Sequence, residues 1–101
     1  METLEVKNES KSEKEKPAWV SEDHIVSTFD ARKVIQSGGH PLKKVLSDIE
    51  NMSELEIYLL ITPFIPAPLV EMVRSKGYSV WTEKLDNNEC RTYITCSSDL
   101  E

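Results

Sequence analysis

The apolar run over residues 55–62, with the sequence LEIYLLIT, limits the possible folds more than any other part of this chain. It is short for a helix, it contains β-branched and aromatic residues, and Pro63 follows it directly. An uninterrupted apolar run of this length is typical of a strand in the middle of a sheet, covered on most of its surface. The remaining residues must then provide neighbouring strands and a covering layer of helices.

The length of the chain allows one domain with a modest core. The chain has 101 residues, and the fraction of surface that folding buries decreases as chains become shorter. Residues 1–17 contain three apolar side chains beside five Glu and four Lys, which predicts a disordered charged tail. We therefore expect a folded domain over residues 18–97 and a frayed end over residues 98–101.

The hydrophobic pattern of the domain predicts the element order β-α-β-α-β-β. Apolar residues recur at the spacing of one helix face over residues 40–51, whereas residues 78–96 alternate as paired strands do. The predicted strands are residues 25–29, 55–62, 78–85 and 89–96, and the predicted helices are residues 40–51 and 66–76, with a long connection over residues 30–39.

These elements predict an α+β fold of two layers, in which both helices cover one face of a four-stranded mixed sheet. A regular first strand places Ile25 and Phe29 on the same face of that sheet. The second helix is expected to bury Leu69, Met72 and Val73.

The sheet face away from the helices needs a separate explanation. Alternation along the final hairpin separates Trp81 and Tyr93 from aliphatic residues such as Val80 and Ile94, and we expect the aliphatic set to face the helices. The two aromatic side chains then either form a surface for an unknown protein partner or lie beneath the N-terminal Trp19. Both interpretations are open at this stage.

A ligand site is expected where the carboxyl ends of the strands and the amino ends of the helices gather, at one edge of the sheet. Residues 30–41 and 62–68 contribute to that edge. His40 follows two glycines at a helix start, and a neutral imidazole there can bind a metal or share a proton, or it can simply end the loop. Similarly, Asp30 and Arg32 can belong to a site or only hold the loop. The candidate ligand-binding residues are His40, Asp30, Arg32, Gly39, Thr62 and Phe64, with His40 as the candidate metal ligand and no residue assigned to catalysis.

Charge and cysteine spacing restrict the partners and the compartment. The net charge of −6 opposes binding to a phosphate backbone, so we expect no nucleic-acid partner. Residues 1–16 contain no apolar stretch long enough for a secretory signal or a membrane span, so we expect a cytoplasmic protein without a membrane partner. Cys90 and Cys96 lie in one predicted strand, about 20 Å apart if it is straight, which excludes a disulfide between them.

Several short motifs together resemble an uncharacterised prokaryotic family of TusA-like (SirA-like) domains. The resemblance covers about residues 18–96 and implies the same β-α-β-α-β-β sandwich. Its motifs are FDAR at residues 29–32, GHPL at 39–42, TPFIPAPL at 62–69, GY at 77–78 and VWTE at 80–83.

In the sulfur-carrying members of that superfamily, a Cys-Pro-x-Pro motif begins the first helix and its Cys carries a persulfide. The matching positions here are His40, Pro41, Leu42 and Lys43, so the proline is present and the nucleophile is not. We therefore expect a non-catalytic module that binds a ligand, a metal or a protein around His40. The alternatives are a sulfur relay through one of the two cysteines and a protein-interaction domain that uses the open sheet face. Ligand, cofactor and partner are unknown at this stage.

Overall fold

A computed structural model describes residues 16–86 and 88–96 of the chain. Most of the predicted tail over residues 1–17, and all of the predicted frayed end over residues 98–101, lie outside these residues. A 3-10 turn at Glu22–His24 precedes the first strand. The strands are β1 (Ile25–Asp30), β2 (Ile57–Thr62), β3 (Ser79–Asp86) and β4 (Glu89–Thr95), and the helices are α1 (Arg32–Gln36), α2 (Leu42–Ile49) and α3 (Ala67–Ser75).

The four strands form one mixed sheet in the order β1-β2-β4-β3. β1 runs parallel to β2, whereas β4 is antiparallel to both β2 and β3. Every residue of β2 is buried except Ile61, which is partly exposed. The predicted α+β fold is therefore confirmed, and the apolar run that suggested it supplies an interior strand.

Two helices pack on one face of this sheet, as predicted. They bury aliphatic side chains against β2 and β4, because their apolar stripes recur every three or four residues. Tyr78, Val80 and Phe29 pack at the margin of the same cluster. The buried residues of this helix-side core are Ala31, Val45, Ile49, Tyr58, Leu60, Leu69, Val73 and Ile94.

The connection predicted over residues 30–39 contains a helix, α1. It has five residues, which is too short for a helical repeat to be visible in the sequence. Its position is fixed from outside, because the fully buried Ala31 precedes it and donates its backbone N–H to the carbonyl of Ile61 at 2.8 Å. Tertiary anchoring rather than helix propensity therefore produces α1.

The expectation that Ile25 and Phe29 share a face is wrong. Ile25 pairs with Ile57, but Ser27 pairs with Tyr58, so β1 has one extra residue in its register with β2. A one-residue irregularity of this kind reverses the alternation beyond it. Ile25 consequently packs on the face away from the helices, whereas Phe29 packs against the helix-side core.

The face away from the helices is covered by the N-terminal part of the domain. Trp81 and Tyr93 are buried there with Val20, and Trp19 packs against the same cluster. The rings of Trp81 and Tyr93 are tilted by 32°, with centroids 5.6 Å apart. Of the two interpretations of these aromatic residues, burial beneath Trp19 and its neighbour is the one observed. Trp81 and Tyr93 do not form an exposed surface for a partner, because residues 19–20 return across the sheet and cover them.

A polar bridge joins α2 to the central strand. The hydroxyl of Tyr58 donates to Asp48 Oδ2 at 2.6 Å, and Lys44 Nζ lies 3.0 Å from the same oxygen. The hydrogen bond from Tyr58 holds the pKa of Asp48 below its ordinary value. Burial and the neighbouring carboxylate raise the pKa of Tyr58. This bridge fixes the carboxyl-terminal half of α2 on the sheet.

The substitution Tyr58→Phe is expected to lower the free energy of unfolding by about 1–2 kcal/mol at pH 7, because it removes a hydrogen bond to a charged group. A carboxyl group whose pKa is lowered in the folded state contributes stability above its unfolded pKa, and this contribution is lost as the pH falls through the folded pKa. The difference between the two proteins should therefore shrink toward pH 2 in denaturant titrations, and the pKa of Asp48 should rise in the variant.

The matched control is Tyr78→Phe, since Tyr78 is partly buried and its hydroxyl makes no hydrogen bond to another of the described residues. It should leave the titration of Asp48 unchanged. Equal losses of stability at pH 7 and pH 2 in the Tyr58 variant would contradict this account of the bridge.

Candidate functional site

An apolar groove of about 590 Å³ lies at the edge of the sheet where the carboxyl end of β2 and the amino ends of α2 and α3 meet. One wall is the loop between α1 and α2, and the other is the turn after β2 with the first turns of α3. The groove therefore brings together His40, Gly39 and Phe64, three of the residues predicted from the sequence. Its lining residues are Ile35, Gly38, Gly39, His40, Pro41, Leu42, Phe64, Pro66, Pro68, Leu69 and Met72.

The loop wall is shaped by two glycines with different roles. Gly38 has a φ of 91°, in the left-handed region that side chains rarely adopt. Gly39 instead makes a close approach, because its backbone N–H donates to the carbonyl of Val34 at 2.8 Å. A Cβ atom at Gly39 would lie 2.8 Å from Val34 Cγ1. The two glycines turn the chain back over α1 and place the exposed His40 at the rim of the groove.

The opposite wall depends on Thr62, the last residue of β2. Thr62 is fully buried, and its hydroxyl donates to the carbonyl of Phe64 at 2.6 Å. This bond closes the turn and leaves the Phe64 side chain 55% exposed. Thr62 is thus a positioning residue behind the groove and does not line it.

The groove is almost free of charge. Among its lining residues, His40 has the one ionisable side chain, and the others are apolar or glycine. Pro66 occupies the N-cap of α3, and Pro68 lies in its first turn, so these positions offer no backbone N–H to a ligand. The part of the wall that these two prolines form therefore presents apolar surface.

Asp30 and Arg32 lie in a separate polar recess, which they share with Lys33, Gln36 and Asn88. The guanidinium of Arg32 donates hydrogen bonds to both carboxylate oxygens of Asp30, with N···O distances of 2.6 and 2.9 Å. It also donates to the backbone carbonyl of Asn88 at 3.4 Å. The hydrogen bonds from Arg32 hold the pKa of Asp30 below its ordinary value. These hydrogen bonds connect the end of β1 to the hairpin. The residues predicted to form one site are therefore divided between the apolar groove and this polar recess.

The structure gives His40 no cluster of metal ligands among the residues that it describes. Within residues 16–86 and 88–96, no three His, Cys, Asp or Glu side chains converge on a common point. His24, the second histidine, is exposed in the turn before β1.

Neither cysteine lies at the groove, and both are free thiols, so the expected absence of a disulfide between them is confirmed. Cys90 is fully buried in β4, and burial raises the pKa of its thiol. Cys96 follows β4 and its thiol donates to the carbonyl of Ser53 at 3.2 Å. Because Thr95 pairs with the first residue of β2, Cys96 lies at the opposite end of the sheet from the groove.

Sequence reasoning missed most of the apolar lining. Met72 was expected in the core with Leu69 and Val73, but it is 41% exposed and lines the groove. Helical periodicity identifies the apolar side of α3 but does not say where the neighbouring elements stop covering it. In the sequence, only the prolines around Phe64 indicated that this segment forms a wall of the groove.

Comparison with known proteins leaves the family open. No family model, no curated protein and no solved structure matches the chain. No helix among the described residues is long and apolar enough to cross a membrane.

The substitution Gly39→Ala is expected to lower the free energy of unfolding by about 1–2 kcal/mol, because the added Cβ overlaps Val34. The double variant Val34→Ala with Gly39→Ala should recover part of this loss, since it removes the contact with Cγ1 but not the 3.0 Å approach to the carbonyl of Val34. Denaturant titration measures both effects, with Val34→Ala alone as the control. A double variant no more stable than Gly39→Ala would show that the side-chain contact is not the cause.

Proposed function

We propose that this protein is a small non-catalytic binding module that holds a mainly apolar small molecule in the groove beside His40. The observation that carries the proposal is the lining of the groove, which combines a volume of about 590 Å³ with walls that are apolar except for one imidazole. Sites for small molecules in proteins usually have volumes of about 300–1,000 Å³, apolar walls and a few polar groups that orient the ligand.

The exposure of the groove's side chains supports the same function. Phe64 and Met72 are both substantially exposed, and both line the groove. Large apolar side chains that cluster on the surface are typical of binding sites. The imidazole of His40 at the rim supplies one group that can donate or accept a hydrogen bond from a ligand.

The resemblance to TusA-like domains is compatible with this role and is part of the proposal. His40 and Pro41 immediately precede α2, and they correspond to the Cys and Pro that begin the first helix of the sulfur carriers. A binding site at the same edge, without the nucleophile, is what the motif comparison implies. We also propose a cytoplasmic location, since two free thiols suit a reducing compartment.

The neutral dye Nile red provides a direct test of the groove. Its fluorescence should increase on binding, and backbone amide signals of His40, Leu42 and Phe64 should shift. Met72→Gln is expected to weaken binding about fivefold, because it replaces apolar contact surface worth about 1 kcal/mol. The matched control is Leu85→Gln, since Leu85 is 47% exposed on β3 and does not line the groove. Equal weakening by both substitutions, or shifts confined to other surfaces, would refute the proposed site.

The alternative of a sulfur relay gains no support from the cysteines. A thiol that accepts and passes on sulfur must ionise readily and meet its partners at the surface. Burial opposes ionisation of Cys90, and Cys96 lies at the far end of the sheet from the helix start that carriers use.

Thiol labelling of the native protein should therefore separate the two cysteines. We expect Cys96, which is partly exposed, to react in the folded protein, and Cys90, which is buried, to react only when the protein unfolds. Mass spectrometry after timed alkylation identifies the modified residue. Rapid labelling of Cys90 in the folded protein would reopen the relay hypothesis.

A further inference from the structure

A separate pocket, the helix-end pocket, lies at the opposite end of α2 from the groove. It has a volume of about 330 Å³ and is bounded by the carboxyl ends of α2 and α3 and by the residue before β3. It shares no lining residue with the groove or with the polar recess. Its lining residues are Leu46, Ile49, Glu50, Lys76 and Tyr78.

The polar groups of the helix-end pocket are not paired with one another. In the described part of the chain, Glu50 and Lys76 form no ion pair with each other or with another residue, although their charges are opposite. Burial raises the pKa of Tyr78, and the neighbouring Cys96 and Glu50 add to this effect. The Tyr78 hydroxyl therefore keeps its proton at neutral pH and can donate a hydrogen bond.

The surroundings of Glu50 favour a cationic group beside it. Glu50 is the C-cap residue of α2, where the carbonyl groups form the negative end of the helix dipole, and the last turn of α2 contains no basic residue. Lys44 is paired with Asp48, and Arg74 donates to the carbonyl of Val80 at 3.3 Å. An ammonium group at Glu50 would interact favourably with both the carboxylate and the helix end.

The rest of the lining provides a cation and a small apolar surface. Lys76 is the exposed C-cap residue of α3, and its ammonium has three hydrogen-bond donors for a carboxylate. Leu46 is partly exposed, whereas Ile49 is buried behind it in the helix-side core. The pocket thus combines one anionic group, one cationic group, one hydroxyl and an apolar contact surface.

We propose that the helix-end pocket binds a zwitterionic small molecule of the amino-acid type with an apolar side chain. The ammonium of the ligand faces Glu50, and its carboxylate faces Lys76 and the Tyr78 hydroxyl. Its side chain packs on Leu46. A zwitterion gives both charged lining residues a partner, whereas a ligand with one charge leaves the other residue unpaired. This site is independent of the groove and of the small molecule proposed to bind there.

Three probes with the same branched chain test the proposal: L-leucine, isocaproate, which lacks the ammonium, and isoamylamine, which lacks the carboxylate. We expect leucine to bind about two- to fivefold more tightly than either analogue at low salt, which is the size of effect that one exposed ion pair produces. Titrations at millimolar concentrations, followed by amide chemical shifts, measure the affinities. The shifts should centre on Glu50, Lys76 and Tyr78.

Two variants assign the charges. Glu50→Gln should remove the advantage of leucine over isocaproate, and Lys76→Gln should remove its advantage over isoamylamine. The matched controls are Glu71→Gln and Lys84→Gln, because both residues are exposed and neither lines the helix-end pocket. Both controls should retain both advantages, and the amide spectra show whether each variant is folded.

The possible results separate this proposal from the proposed function. Leucine binding no tighter than that of the analogues, or an advantage that either variant of the pocket fails to remove, would overturn the zwitterionic class. Absence of shifts at the helix-end pocket, or shifts confined to His40 and Phe64, would overturn the site. None of these results changes the expected binding of Nile red in the groove, which is tested by itself.

Discussion

The rest of the structure depends on the burial of β2 on both faces. Tyr58 and Leu60 point into the helix-side core, whereas Ile57 and Leu59 belong to the cluster beneath Val20. A strand with apolar residues in both phases of its alternation must be covered twice, because leaving either face in water forfeits about 25 cal/mol for each Å² of apolar surface. The helices supply one cover. The hairpin aromatics and the N-terminal residues complete the other.

The groove beside His40 is a consequence of the direction of β1. Because β1 is parallel to β2, both strands end at the same edge of the sheet, and the chain must leave that edge twice to enter helices. The loop wall follows β1 through α1, and the proline-rich wall follows β2. Apolar side chains such as Phe64 and Met72 remain accessible between the two walls.

Much of the fold and part of the site could be predicted from the sequence. The interior strand, the two longer helices and the hairpin have clear periodicities, and topology alone predicted that His40, Gly39 and Phe64 would meet. The separation of Asp30 and Arg32 from the groove could not be predicted. In the sequence, Arg32 could either belong to a site or hold the loop, and its hydrogen bonds to Asp30 and Asn88 show that it holds the loop. The short helix α1 and the extra residue in β1 were also missed, since each depends on contacts with β2 rather than on a local pattern.

The sequence by itself determined the longer helices and strands and which of their sides are apolar, because these follow from residue spacing within a single segment. Only the tertiary structure decided which of those apolar residues are covered. Trp81 and Tyr93 are buried because residues 19–20 return over them, and Met72 is exposed because the described elements leave it partly uncovered at the groove. Coverage depends on the positions of segments that are distant in the chain, and the spacing of apolar residues within one segment carries no information about those positions.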